Sequence, residues 1–458
     1  MKAWSAYFNG SRNRAAFQCR MSYLGRGLFM RFSLVNPPWS FTGSIYFGCR
    51  EPHLPLEYGY ARNLLENAGH TVQLVDGQLE SLSLDEMRRR VADIRPDFTV
   101  VTTAPSYLFW RCAPPELRVP RETIDALRDV GGTMIGVGPH ASTTPKTALR
   151  KLGADAVVLG ECEEVLPRLV GDWRYVDSLC YRRGDAVSVN GGPHASDMTT
   201  LSALHWNSEL IGRHAHHHHR FDSPQYGAGA EMETSRGCPY HCTFCAKDNF
   251  RNRFRRRPLA TIAEELDGLI AAGAGYVYFI DEIFLPYRDV LETIRERKIV
   301  FGIQTRIDLW NEEMIDLLGD AGCVSIEAGV ESITEAGREL LDKKCKIGTE
   351  EIGERLIHAK RRVSFVQANL LDSRDDDPAD VQKWRQHLQA NGVWANEPVP
   401  LFPYPGSPDY TRRWGAPDDL AWERAHRSYL EAFDTFSDIQ EQRPEPLVQL
   451  EIPEGPHA

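Results

Sequence analysis

The chain has 458 residues, 42% hydrophobic and 26% charged, too long for one ordinary core and composed like a globular chain of two domains with appendages. Acidic residues outnumber Lys plus Arg by 64 to 53, a net charge of -11, which argues against broad electrostatic affinity for nucleic acid or an anionic membrane. No apolar run approaches the roughly 20 residues that span a bilayer, and no secretory core opens the chain. A cytoplasmic protein with neither a nucleic-acid nor a membrane partner is expected. Ten cysteines are scattered except for one cluster, which in a reducing compartment favours metal binding or catalysis over a disulfide framework.

Residues 1–30 form an extension carrying Lys2, Arg12, Arg14, Arg20 and Arg26 and no acid. It reads either as upstream sequence before a natural start at Met30 or as an Arg-rich transit segment. Over 31–171, "FSLVN", "TVQLVD", "FTVVTT", "TMIGVG" and "DAVVLG" predict five buried strands. Between them "YGYARNLLENAG", "LDEMRRRVADI", "RETIDALRDVG" and "PKTALRKLG" have helical spacing and mostly close on Gly. Strand and helix in alternation give a doubly wound, Rossmann-like parallel sheet. Ligands of such sheets sit beyond the carboxyl ends of the strands. There "NPPW" (36–39), "TTAPSY" (102–107), "GPHAS" (138–142) and "GECEE" (160–164) would line one crevice, with Asn36, Thr102, Ser106, Gly138, Gly160 and Glu161 as candidate contacts. Pro37 and Pro38 follow the first strand where a dinucleotide fingerprint would need Gly-x-Gly-x-x-Gly.

Residues 172–230 read as a connecting region. It contains "SLCYRRGDAVSVNGG", which resembles a hairpin closed at Arg183-Gly184-Asp185, and the tract "RHAHHHHRFD" with His214 and His216 to His219. The tract is either a solvated loop with adventitious metal affinity or a source of imidazoles for a nearby cavity.

From residue 231 to 410 a second alternation begins with the strand "EMETS" and runs directly into "SRGCPYHCTFC" (235–245). The helix "LATIAEELDGLIAAG" would bury Leu259, Ile262, Leu266, Leu269 and Ile270. "YVYFID", "VFGIQTRID", "CVSIEAG", "FVQANLLD" and "VWANEPVPL" supply five further strands. Six strands in alternation with helices predict a partial (β/α)6 barrel of the TIM type, whose chemistry gathers at the carboxyl ends of the strands. That rim would carry Cys238, Cys242, Cys245, Asp281, Glu282, Arg306, Asp308, Glu327, Glu331, Asn369 and Glu397.

The three clustered cysteines decide the chemistry. Structural zinc takes four protein ligands, yet no second Cys pair exists, Cys323 and Cys345 stand alone, and His241 could join its neighbours only by straining the turn. Three thiolates on a 4Fe-4S cluster would instead leave one iron open for a substrate or cofactor.

Cys-x3-Cys-x2-Cys after the first strand of a barrel resembles the radical S-adenosylmethionine (SAM) superfamily, and the preceding doubly wound domain resembles the cobalamin-binding domain of its cobalamin-dependent class. The resemblance covers residues 31 to 410. It implies that Cys238, Cys242 and Cys245 hold a 4Fe-4S cluster while SAM chelates the fourth iron, and that reductive cleavage yields a 5'-deoxyadenosyl radical. Phe244 matches the position near the adenine. Asp281 and Glu282 stand where the family binds the methionine amino group, although the usual Gly-Gly-Glu is absent. Arg306 fits a carboxylate-binding role, and Glu331 with Ser332 matches the ribose-side motif. Glu327 is a further candidate catalytic carboxylate on the same rim. "PYPGSPDY" (403–410) matches the closing segment of the class. The Asp-x-His-x-x-Gly motif that supplies an axial histidine in some cobalamin proteins is absent, so the corrin is expected to meet "TTAPSY" or "GPHAS" without a protein nitrogen ligand.

The expected activity is methyl transfer to an unactivated carbon of a small, sugar-linked or phosphorylated metabolite, with an electron donor such as a flavodoxin or ferredoxin. A cobalamin-assisted radical cyclase or rearrangement enzyme, and a non-catalytic Fe-S sensor, are the alternatives. Each candidate also has a structural reading: Arg306 with Asp308 as an ion pair, Asp281 as a loop start, Glu331 as a helix start. The run "RNRFRRRP" (251–258) reads as a solvated approach or an anion-binding patch. Residues 411–458 are expected to cap the barrel.

Overall fold

The computed structural model describes residues 29–45, 52–106, 113–214, 227–247, 251–372, 375–433 and 443–451. The extension up to residue 28, Tyr107 and His216 to His219 lie outside them. The first sheet contains β1 (Arg31–Asn36), β2 (Thr71–Asp76), β3 (Phe98–Thr102), β4 (Thr133–Val137), β5 (Ala156–Val158), β6 (Leu179–Arg183) and β7 (Ala186–Asn190), ordered β2-β1-β3-β4-β5-β6-β7. The first five are parallel. Strand order reverses beside β1, so the crevice where a ligand binds opens between the ends of β1 and β3.

The inner strands β1, β3, β4 and β5 are buried on both faces because both are covered, whereas β2, at the edge, exposes Thr71 and Gln73. Phe32, Leu34, Val100 and Ile135 pack with Tyr58 and Leu65 of the helix Leu56–Asn67. Val35, Val101 and Val157 pack on the other face with Met87, Val91 and Leu149. The helix Leu84–Ile94 starts at a capping box in which Ser83 and Glu86 exchange hydrogen bonds. The predicted hairpin is antiparallel and continues the edge of this sheet through β5 and β6, so the connecting region contributes two strands to the first domain.

The second sheet is built from β8 (Ala228–Met232), β11 (Ala274–Phe279), β12 (Val300–Thr305), β13 (Cys323–Glu331), β14 (Phe365–Asp372) and β15 (Trp394–Ala395), all parallel and in sequence order. A separate ribbon pairs β9 (Ser235–Arg236) with β10 (Arg255–Arg256), antiparallel. Among the described residues β8 and β15 do not pair, which leaves the barrel partial and open. The last predicted strand is split: β15 and β16 (Val399–Pro400) both pair with β14, and between them Pro398, which has no N–H, breaks the ladder.

Ile270 departs from its predicted place. It is 37% exposed, because it lies about 100° around the helix from Leu269, and Glu265 takes a core position, paired with buried Arg257 at 2.7 Å. The C-terminal segment joins the two domains. Phe402, Tyr410, Trp422 and Tyr429 share a core with Ile45 and Ala113, and the helix Ala421–Ala432 anchors on the first domain through Glu423 and Lys151.

Candidate active site

The cysteines sit on an excursion, residues 237–254, whose two ends are tied by the β9–β10 ribbon; Arg236 and Arg255 are cross-strand partners there. Gly237 starts the excursion at φ +78°, and a Cβ added to it would collide with the carbonyl of Arg253. Its N–H donates to Glu282 at 2.8 Å, and Arg251 donates to the other oxygen of Glu282 at 3.0 Å. Arg236 is fully buried and forks onto Glu233.

Arg236 also crosses the domain boundary. Its Nη1 meets Glu161 at 3.0 Å and Glu163 at 2.6 Å. Arg255 donates to the same oxygen of Glu161 at 3.0 Å, and the Ser196 N–H donates to it at 2.8 Å. Burial pushes the Glu161 carboxyl up, but the surrounding guanidiniums, Arg236 foremost, hold it well below the usual carboxylate range. Burial raises Glu163, and repulsion from Glu161 adds to that rise. Most of the basic run is therefore paired and not a free anion patch: Arg251, Arg255, Arg256 and Arg257 pair with Glu282, Glu161, Asp289 and Glu265, while Arg253 is exposed.

Asp281 is buried and accepts from the Thr234 N–H and from the hydroxyls of Thr234 and Ser235. Burial pushes its carboxyl up to about 7. Arg306 pairs with Asp308 at 2.7 Å and lies 4.2 Å from the ring centre of Tyr240, inside the cysteine loop. Its Nη1 is buried with no hydrogen-bond partner. Glu331 stands at φ +64° and pairs with buried Lys343, which also donates to the Gly329 carbonyl. Ser332 donates to Asp376 at 2.8 Å. Phe244 is half-buried in the loop. Glu327 lies in register with Gln304 on β12 and Gln367 on β14, one polar row across three strands.

In the first domain, Asn36 bridges Asp76 and Trp39. Thr102 donates to the Ala104 carbonyl, and Ser106 donates to Glu57 at 2.9 Å. Glu57 is fully buried, keeps one oxygen without a partner and is pushed up to about 7 by burial. Gly138 packs against Thr103, and Gly160, at φ +80°, against the backbone of His194. His140 is buried with both ring nitrogens engaged, Nδ1 by Thr103 Oγ1 at 3.1 Å and Nε2 by the Pro114 carbonyl at 2.8 Å. Burial lowers its pKa to about 3, so the ring is neutral.

A cavity of about 590 Å³ opens beside the cysteine loop, lined by Thr243, Leu371, Asp372, Leu401 and Arg412. Thr243 is tied to the C-terminal segment: its hydroxyl donates to Asp409 at 2.9 Å, and its carbonyl accepts from the Asp409 N–H. Of the polar residues around the loop, Glu233 and Lys343 carry no motif, while Arg236 and Tyr240 lie inside "SRGCPYHCTFC" and Glu163 inside "GECEE" with no role legible for them there. Only the i, i+3 spacing of Glu233 and Arg236 was available as a signal.

Residues 50–170 match the B12 binding domain, and residues 232–371 match the radical SAM superfamily. The chain carries a B12-binding domain followed by a radical SAM domain. Those two domains imply a 4Fe-4S cluster, SAM and cobalamin as cofactors. The chain is 23% identical to the anaerobic magnesium-protoporphyrin IX monomethyl ester cyclase of Cereibacter sphaeroides over 77% of its own length and 58% of the cyclase. It is 27% identical to the hopanoid C-3 methylase of Methylococcus capsulatus over 77% of this chain and 67% of the methylase. It is 24% identical to the cytidylyl-2-hydroxyethylphosphonate methyltransferase of Streptomyces wedmorensis, over 63% of each chain. The fold is shared with the radical SAM methyltransferase TsrM from Kitasatospora setae, solved with cobalamin and a 4Fe-4S cluster, at a TM-score of 0.65, 19% identity and coverage of 83% and 77%. It is shared also with the cobalamin-dependent SAM radical enzyme OxsB, at 0.59, 18%, 75% and 49%.

The radical SAM site suits its cofactors. Cys238, Cys242 and Cys245 are half-buried and form no disulfide, and burial pushes the Cys238 thiol up to about 11. Among the described residues no three His, Cys, Asp or Glu side chains converge on a point as a single ion requires. The spare donor of Arg306 suits an anionic carboxylate at the loop. Among the described residues no helix is long and apolar enough to cross a membrane.

Proposed function

We propose that this protein is a cobalamin-dependent radical SAM methyltransferase acting on an unactivated carbon of a small, sugar-linked or phosphorylated metabolite. The observation that carries the reading is the sharing of Glu161, on the B12-binding domain, by Arg236 and Arg255 at the neck of the cysteine loop. The two cofactor domains thus meet through one buried interface. When bound, the cluster with SAM supplies a radical able to take hydrogen from an unactivated C–H bond, and cobalamin supplies a methyl group.

In this reading Cys238, Cys242 and Cys245 hold the cluster, and Arg306, oriented by Asp308 and Tyr240, directs its spare Nη1 at the SAM carboxylate. Glu331 and Ser332 face the ribose, and Phe244 lies near the adenine. Asp281 braces the end of β8, and Glu282 fixes the start of the loop. Glu327, on the polar row, faces the substrate. Asn36, Thr102, Ser106, Gly138 and Gly160 would form the corrin crevice, and His140, with both ring nitrogens engaged, would have none to offer the corrin. A flavodoxin or ferredoxin supplies electrons. The phosphonate methyltransferase among the relatives supports a phosphorus-bearing substrate.

A cobalamin-assisted cyclase is the second reading, favoured by the cyclases of Cereibacter sphaeroides and Rubrivivax gelatinosus among the relatives. Reduced, reconstituted protein incubated with deuterated methyl-SAM and candidate metabolites separates the two. Methylation predicts labelled product with one 5'-deoxyadenosine and one S-adenosylhomocysteine each. Deoxyadenosine formed with substrate loss but without label or S-adenosylhomocysteine favours the cyclase.

A further inference from the structure

Four carboxylates, Glu161, Glu163, Glu233 and Glu282, surround three guanidiniums, Arg236, Arg251 and Arg255, and every member is at least four-fifths buried. Such a lattice costs desolvation, and replacing it with apolar side chains would often be no less stable. What it supplies is geometry, because forked guanidinium–carboxylate bonds fix direction as well as distance.

The lattice is built around one place. Arg236 and Arg255 are the paired residues at the two ends of the cysteine excursion, and Arg251 lies within it. Glu282 holds the excursion from the barrel side through the Gly237 N–H and Arg251. Glu161 holds both ends from the other domain, where it follows β5 directly after Gly160. Tyr60, on the first helix of the B12-binding domain, lies under Arg236 with its ring centre 5.2 Å away. A shift of the β5 loop must therefore move the neck of the cysteine loop.

We propose that Glu161 is a positioning residue that sets the corrin relative to the cluster, by clamping Arg236 and Arg255 at both ends of the cysteine excursion. This rests on the functional reading above. Glu161 touches neither cofactor in this account, since both its oxygens are taken by arginines and by the Ser196 N–H.

The test uses the full chain loaded with cluster and cobalamin, reduced until cob(II)alamin and the cluster are both paramagnetic, and reads their dipolar coupling by pulsed EPR. With SAM added, 5'-deoxyadenosine and S-adenosylhomocysteine are counted. Wild-type protein is expected to show one defined coupling. Glu161→Gln is expected to keep its iron and corrinoid content while the coupling distribution broadens and the ratio of the two nucleosides shifts at least threefold. Arg255→Gln, at the partly exposed edge of the lattice, is expected to do the same, and Arg255→Lys to restore most of the wild-type coupling; if Glu161→Gln does not fold, the Arg255 pair decides. A coupling and ratio unchanged from wild type in a fully loaded variant overturns the clamp while leaving the functional reading intact. Wild-type protein that holds iron but no corrinoid overturns both.

Discussion

The indole of Trp422 lies 4.7 Å from the imidazole of His140, centroid to centroid, and its Nε1 donates to Thr144 Oγ1 at 3.1 Å. The helix Ala421–Ala432 thus covers the short helix Pro139–Thr143 that follows β4, beside Gly138 of the proposed corrin crevice. Trp422→Ala should cost about 3–5 kcal/mol, the usual loss for a buried large aromatic, and should lower corrinoid retention more than iron retention. Urea denaturation and the corrinoid spectrum after gel filtration check the two effects separately.

His140 also sets a pH dependence. Its folded pKa is lowered to about 3 by burial, against about 6.5 when unfolded. The unfolded chain therefore binds the extra proton, and the His140 contribution is complete above pH 6.5 and is lost as pH falls towards 3. His426, lowered to about 4, acts in the same direction. Glu57 and Asp281, raised to about 7, act oppositely: their contribution is present near pH 4 and is lost as pH rises through 7. Comparing His140→Gln with wild type isolates the first effect. Between pH 6 and 5 the slope of stability against pH should differ by up to about 1.4 kcal/mol per unit.

Gly237→Ala should prevent cluster assembly without unfolding the barrel. The left-handed backbone and the Arg253 carbonyl leave no room for a Cβ, while the strands behind it are held by their own core. Circular dichroism should be preserved, and the brown absorbance of the reconstituted protein lost.

Asp409→Asn weakens the bond from Thr243, between Cys242 and Cys245. The cluster should still assemble, but its loss on exposure to air should be several times faster than in wild type. Iron content measured over time checks this.

The alternation of strands and helices was legible along most of the chain because burial on both faces of a parallel sheet leaves continuous apolar runs. The strands "FSLVN", "FTVVTT", "TMIGVG" and "DAVVLG" are examples, as is the helix Leu84–Ile94 that alternates with them. Pro398 and Ile270 mark the limits: one breaks a ladder by lacking a donor, and the other is decided by which helix face the barrel needs. The cysteines were legible because their spacing is local. The lattice around them was not, since Glu161 and Arg236 are 75 residues apart and a run of arginines looks the same whether it faces solvent or buried carboxylates. The same holds for Lys343, whose partner Glu331 is visible only once β13 and the following loop are folded together.

The three cysteines give the most direct test of the cluster. Cys238→Ala, Cys242→Ala and Cys245→Ala should each lose it, while Cys323→Ala and Cys345→Ala should keep it. Iron and sulfide assays on anaerobically reconstituted variants check this.

The central claim, that one chain joins a cluster and a corrinoid, is tested most directly by expressing the full protein with excess cobalamin, reconstituting it anaerobically and measuring both cofactors in the same sample. The account predicts about four irons per chain together with one corrinoid, which acquires a deuterated methyl group from labelled SAM as S-adenosylhomocysteine forms. Protein that holds its iron but shows no corrinoid spectrum and transfers no label would contradict it.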